Sequence, residues 1–206
     1  MIAIVDYKAG NLTSVRLALE ALHVEAQITS DPDVVRRADR IIFPGVGAAG
    51  PAMEEVRRFG LQPALVEFSE SGKPFLGICV GTQILLDSSE ENGGTPCLGL
   101  IPGQVKRFRP KSHYDKIPQM GWNTVHFTRQ HPIFEGIEDN SEFYFVHSYY
   151  PSPSNPEYSL GETEYADARF SSILGKDNLI ATQFHPERSG RIGLKLLDNF
   201  CKWVTT

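Results

Sequence analysis

"PFLGICVGTQILL", residues 74–86, reads as a buried strand that runs straight into a helix. Cys79 stands at the joint, with Gly77 two residues before it and Gly81 two after. A cysteine that only fills core needs no such flanking glycines. A thiol projected from a sharp strand-to-helix turn does, because substrate and backbone must approach it closely. In an open α/β sheet such a turn lies at the carboxyl edge, where ligands bind. The free N–H groups and positive dipole end of the following helix favour a thiolate there.

Outward from this joint, strands and helices alternate. "IAIV" (2–5), "VEAQIT" (24–29) and "RIIF" (40–43) read as strands. "NLTSVRLALEALH" (11–23) puts Leu12, Val15, Leu19 and Leu22 on one helical face. "SDPDVVRRA" (30–38) opens with Ser-Asp-Pro as short helices do, and helical spacing runs from 52 to 71. Short links between these segments imply right-handed crossovers and a parallel sheet with helices on both faces. From 99 to 183 the segments become short, aromatic and β-branched, as in "WNTVHF" (122–127), "SEFYFVHSYY" (141–150) and "LIATQF" (179–184), and imply additional antiparallel strands. A closing helix over 191–204 places Leu194, Leu197, Cys201 and Val204 on one face and makes Cys201 a core thiol. No repeat or linker interrupts the chain. The expectation is one domain over 1–206, an open, mostly parallel α/β sheet flanked by helices.

The 206 residues carry a net charge of −5, so they offer no basic footprint for nucleic acid. The basic run "VKRFRPK" (105–111) reads as a solvated strand edge. No run of about 18 apolar residues could span a membrane, and "MIAIVDY" (1–7) reads as a first strand and not a signal peptide. Cys79, Cys97 and Cys201, widely separated, form no disulfide framework and fit a cytoplasmic location.

A nucleophilic thiol needs a base. Of the histidines, His23 ends a helix, His126 lies in an alternating strand, and His113 and His131 lie in loops, all as surface residues. His185 differs: it follows the apolar strand "LIATQF" and has Glu187 two residues on, in "FHPERSG" (184–190). A carboxylate at that position can orient an imidazole and keep it basic. Cys79 and His185 are far apart in sequence and no C-x-x-C or H-E-x-x-H occurs, so no metal is expected. "RIIFPGVGAAG" (40–50) spells G-x-G-x-x-G with Gly45, Gly47 and Gly50, the dinucleotide fingerprint. It follows the third strand instead of the first, and the next strand ends in Cys79 instead of a ribose-binding acid. Gly45, Val46 and Gly47 have a better use: beside the N–H of Val80, this turn can present backbone donors to an oxyanion.

With "PGVG", Cys79 and "HPE" in this order along one sheet, the chain resembles the triad-type (class I) glutamine amidotransferases, whose fold is flavodoxin-like. Their elbow G-x-C-x-G-x-Q matches Gly77, Cys79, Gly81 and Gln83. "DYKAGN" (6–11), "PQMGWN" (118–123) and "YFVHSYY" (144–150) are similar to the glutaminase subunits of imidazole glycerol phosphate synthases, a branch of that family. Lys8 departs from a usual glycine, Val80 and Thr82 from Leu and Met, and Arg188 from Lys. The resemblance implies glutamine hydrolysis through Cys79, His185 and Glu187, with no cofactor. It implies that Gln83, Glu91, Ser148 and Tyr149 hold the amino-acid end of glutamine. It also implies a (β/α)₈-barrel cyclase as partner in histidine biosynthesis, contacted by Lys8, Asn11, Met120, Trp122, Asn123, Tyr144 and Arg188, with Ala9, Gly10 and Gly121 between them. Trp122 has a competing reading as core, as tryptophans in strands usually are. Three other readings stay open: the glutaminase subunit of another synthase such as pyridoxal phosphate synthase, a cysteine hydrolase or peptidase on the same sheet, and an NAD(P)-binding protein built on the glycine turn.

Overall fold

The computed structural model describes residues 1–8 and 11–205. Ala9 and Gly10 of the "DYKAGN" stretch lie outside the described residues. The first half alternates as expected: β1 (Ile2–Val5), α1 (Leu12–Ala21), β2 (Ala26–Thr29), α2 (Pro32–Arg37) and β3 (Arg40–Gly45). After them come α3 (Ala49–Arg58), α4 (Leu61–Glu70), β4 (Phe75–Cys79) and the single turn α5 (Val80–Gln83). Helix starts follow from local chemistry. The Asn11 side chain accepts from the Ser14 N–H at 3.4 Å, and Asp31 accepts from the Asp33 N–H at 2.8 Å, with Pro32 in the first turn. The helical spacing over 52–71 belongs to two helices, because Gly60 takes a left-handed φ of 66° between them.

The second half is strand-rich. β5 (Ser88–Ser89), β6 (Thr95–Pro96), β7 (Gly103–Arg107), β8 (Gln119–Phe127), β9 (Ser141–His147) and β10 (Tyr149–Pro153) precede β11 (Ser159–Tyr165), β12 (Ala168–Lys176) and β13 (Leu179–Thr182). The helix α6 (Gly190–Lys202) closes the chain. A nine-stranded sheet runs β2-β1-β3-β4-β13-β12-β11-β8-β9, and a smaller sheet runs β10-β7-β5-β6. Strands β2 through β13 in that order are parallel and the rest of the large sheet is antiparallel. Right-handed crossovers send α1 and α2 to opposite faces. Accordingly α1 packs with α6, while α2 and α3 pack with α4.

Two expectations need correction. The run 105–111 is not a sheet edge: β7 is paired on both sides, by β10 and β5, and alternation buries Val105 while Lys106 and Arg107 reach solvent. The core face of α6 is Gly193, Leu196, Leu197 and Phe200, spaced i, i+3, i+4, i+7. Leu194 and Cys201 flank that face half-buried, and Val204, beyond the helix end, is exposed.

Parallel pairing fixes the carboxyl edge. Gly45 at the end of β3 is in register with Cys79 at the end of β4, and Ile78 with Thr182 at the end of β13. The residues just past these three strands therefore converge at one place.

Candidate active site

The chain turns at Cys79 with φ 55° and ψ −112°, a conformation few non-glycine residues adopt, and enters α5 in the next residue. Gly81 makes this turn possible: a Cβ there would lie 1.9 Å from the Phe43 carbonyl oxygen. The Thr82 hydroxyl donates to the Thr182 carbonyl at 2.6 Å and ties α5 to β13.

His185 follows β13 and is held twice by β9. Its N–H donates to the Tyr144 carbonyl at 3.0 Å, and Ser189 Oγ donates to the His185 carbonyl at 2.6 Å while accepting from the Tyr144 N–H at 3.0 Å. A 3₁₀ turn, Pro186–Arg188, brings Glu187 back so that Oε1 lies 2.8 Å from His185 Nδ1. The two side chains are only 4% and 2% exposed, so the pair acts at low dielectric. Nδ1 is thereby committed, and His185 Nε2 has no partner among the described residues. Burial pulls the imidazole pKa down, but the negative charge of a Cys79 thiolate and of Glu187 outweighs it and lifts the pKa well above the ordinary value.

Cys79 and His185 open onto one cleft of about 300 Å³, also lined by Val46, Gly47 and Val80 and by Gln83, Glu91, Ser148 and Tyr149. That size suits a small ligand. Gly45 stands back from the cleft, packed so tightly that a Cβ would sit 2.1 Å from Tyr7 Oη and 2.7 Å from the Gly81 nitrogen. Glu91 has a structural task as well: Oε2 accepts from the Ala49 N–H at 2.7 Å and caps α3, whose own N-cap residue, Ala48, has no side-chain hydrogen bond. The wall opposite Cys79 is β9, whose Val146 carbonyl lies 4.0 Å from Sγ.

Two further residues face the site, and neither the "YFVHSYY" stretch that contains His147 nor the "LIATQF" stretch that contains Gln183 assigns them a role. Gln183 is fully buried, with Nε2 3.8 Å from Cys79 Sγ and Oε1 accepting from Gln83 Nε2 at 3.0 Å. His147, on the cleft wall, is 5% exposed. A buried glutamine beside a strand end is the available signal, since buried amides demand partners. Among the other histidines His131 is half-buried, because its Nδ1 accepts from the Ile133 N–H at 3.2 Å, while His126 is exposed and pairs with Asp139. Among the described residues no group of three or more His, Cys, Asp or Glu could hold a metal ion, and no helix is long and apolar enough to cross a membrane.

The residues matched to a partner surface divide. Met120 and Trp122 lie on one face of β8 and are 66% and 54% exposed, so Trp122 is not core. Trp122 pairs across the ladder with Tyr144, their rings 6.1 Å apart, and the Arg188 guanidinium sits 4.8 Å over the Tyr144 ring. Asn123 is used internally, donating to the Glu164 carbonyl at 3.0 Å. Lys8 is exposed and pairs with Asp6, and Asn11 caps α1.

Comparison with known proteins gives one consistent answer. The family model for class-I glutamine amidotransferases matches residues 3–203. Imidazole glycerol phosphate synthase subunit HisH of Maridesulfovibrio salexigens is 51% identical, over 100% of this chain and 99% of that one. HisH of Nitrosococcus oceani is 47% identical, over 98% and 97%. In fold, the chain is similar to a crystal structure of a glutamine amidotransferase at TM-score 0.72 and 19% identity, covering 98% of both chains. It is similar to PurLQS from Thermotoga maritima at TM-score 0.77 and 18% identity, covering 98% and 97%. The chain belongs to the class-I glutamine amidotransferase family, on the branch of the HisH subunits of imidazole glycerol phosphate synthase.

Proposed function

We propose that this glutamine amidotransferase hydrolyses glutamine with Cys79 as nucleophile, His185 as general acid and base, and Glu187 as the group that orients His185. The carrying observation is that Cys79 and His185 meet in one cleft while the buried Glu187 holds His185 from behind. The Cys79 thiolate attacks the side-chain amide carbon, and the carbonyl electrons move to oxygen. Backbone N–H groups of Val46 and Gly47, in the turn that Gly45 opens, and of Val80 stabilise that oxyanion, each such donor lowering the barrier by on the order of 3 kcal/mol. The C–N bond then breaks as His185 gives its Nε2 proton to the leaving nitrogen, which departs as ammonia and leaves a γ-glutamyl thioester. Water, deprotonated by His185, attacks the thioester; glutamate leaves and the thiolate returns. Gln83, Glu91, Ser148 and Tyr149 hold the amino-acid end of the substrate.

Ammonia freed into water at neutral pH is mostly ammonium and no longer nucleophilic. The chain therefore acts as one cytoplasmic glutaminase domain that passes ammonia directly to a separate (β/α)₈-barrel cyclase, which forms imidazole glycerol phosphate and aminoimidazole carboxamide ribotide. Met120, Trp122, Tyr144 and Arg188 form the core of the docking face, with Lys8, Asn11 and Asn123 at its margin. The test is glutamate release by the chain alone and with such a cyclase carrying its ribonucleotide substrate. Low turnover alone and a large rise in the complex are expected; equal turnover in both settings sinks the coupled-subunit reading. Cys79→Ser abolishes turnover with fold and partner binding kept, His185→Ala is nearly as severe, and Glu187→Gln costs less because an orienting group is easier to replace than a base.

A further inference from the structure

The cleft is one end of a buried chain of hydrogen bonds. Gln83 Nε2, already bonded to Gln183, also donates to the Tyr149 carbonyl at 2.9 Å, and His147 Nδ1 lies 2.8 Å from that same oxygen. On its far side His147 Nε2 is 2.9 Å from Gln119 Oε1 on β8. Gln83, Gln119, His147 and Gln183 are all buried.

The protons of this chain follow from chemistry. A carbonyl only accepts, so His147 Nδ1 carries the hydrogen. The ring is caged by Phe108, Phe145 and Phe170, with centroids 5.2, 5.5 and 5.3 Å away. Burial pulls its pKa to about 4, with the His185 charge adding to the effect and the Tyr149 bond opposing it. The ring is therefore neutral at neutral pH and Nε2 is an acceptor. With the ring neutral, Gln119 pairs with Nε2 through its –NH₂ when its amide is turned by 180° from the Oε1-facing orientation. A buried polar chain with each link paired fixes geometry, while a half-paired one does not.

We propose that His147 is a positioning residue for glutamine: its Nδ1–H, braced from behind by Gln119, fixes the Tyr149 carbonyl and so the Ser148–Tyr149 backbone that walls the cleft. This rests on the glutaminase reading above. Gln83 on α5 and His147 on β9 grip one oxygen from two elements, which leaves that peptide a single position.

Asparagine and glutamine separate the two ends of the ring. His147→Asn puts an amide nitrogen near the Nδ1 position and keeps the bond to Tyr149, while His147→Gln reaches the Nε2 position and keeps only the contact with Gln119. Steady-state glutamate release is read on the chain in its cyclase complex. His147→Gln raises KM for glutamine about five- to tenfold with kcat within about twofold, whereas His147→Asn raises KM no more than about twofold. Gln119→Leu, which strips the brace and leaves Nδ1 in place, raises KM about two- to threefold and serves if His147→Gln does not fold. Equal KM values for the Asn and Gln variants, a loss confined to kcat, or an unchanged KM in Gln119→Leu overturns the proposal. Wild-type turnover accompanying such a result leaves the glutaminase reading standing; no wild-type turnover at all removes both.

Discussion

Cys79 holds a backbone conformation that costs a residue with a Cβ on the order of 1–3 kcal/mol. Glycine is free of that cost, so at this position the usual order of Ala over Gly reverses. Cys79→Gly is expected to be more stable than Cys79→Ala by about 1–2 kcal/mol, read from denaturant midpoints at equal slope. An Ala variant as stable as Gly removes the strain argument. His147 contributes to the acid sensitivity of the fold. Its folded pKa, about 4, lies below the unfolded value of 6.5, so the unfolded chain binds the extra proton between these values. Stability is full above pH 6.5 and falls as pH drops toward 4, by on the order of 3 kcal/mol from this residue. In His147→Asn that share of the acid sensitivity is gone, and melting curves across the window show whether it is. Cys79, His185 and Glu187 were legible because glycine spacing and the H-x-E step are local. The roles of Gln183 and His147 were not, although "YFVHSYY" contains His147, since the partners that give them meaning come from strands far away in sequence.

At the scale of elements, the site depends on two close approaches. Gly81 lets α5 pass over β3, and Gly193 lets α6 pass over the turn that carries Glu187: a Cβ at Gly193 would fall 1.9 Å from the Pro186 carbonyl oxygen. Gly193→Ala pushes that turn away and loosens the grip on His185. It is expected to lower turnover by a factor of ten or more and stability by about 1–3 kcal/mol. Gly50, the last glycine of the G-x-G-x-x-G stretch, is different. A Cβ there meets Thr95 Oγ1 at 3.5 Å, an ordinary contact, and the residue is inside α3. Gly50→Ala is expected to leave turnover unchanged and to raise stability by up to about 1 kcal/mol. A large loss of turnover would show that this loop needs open space against a ligand. The alternating first half was readable because each helix and strand has its own period. The strands after residue 99 were readable as strands, but their pairing into two sheets was not, because register is fixed by partners and not by neighbours.

Across the whole molecule, the exposed Met120 and Trp122 lie one strand from Cys79. Met120 pairs in register with Val146, whose carbonyl lies beside Cys79 Sγ. A partner seated on β8 thus rests against the back of the cleft wall. Trp122→Ala is expected to weaken the proposed complex with the cyclase by about 30-fold or more, as buried aromatic anchors do, with the isolated chain as stable as before. Titration calorimetry settles it, and an unchanged affinity moves the docking face elsewhere. The order of strands has one more consequence. β13, last in the chain, is the middle strand of nine, between β4 and β12. Until residues 179–182 leave the ribosome, each half of the sheet ends in an open edge, and Cys79 sits on one of them. Cys79 is thus synthesised about a hundred residues before His185, and on the proposed mechanism the growing chain has no base for its thiol until β13 inserts.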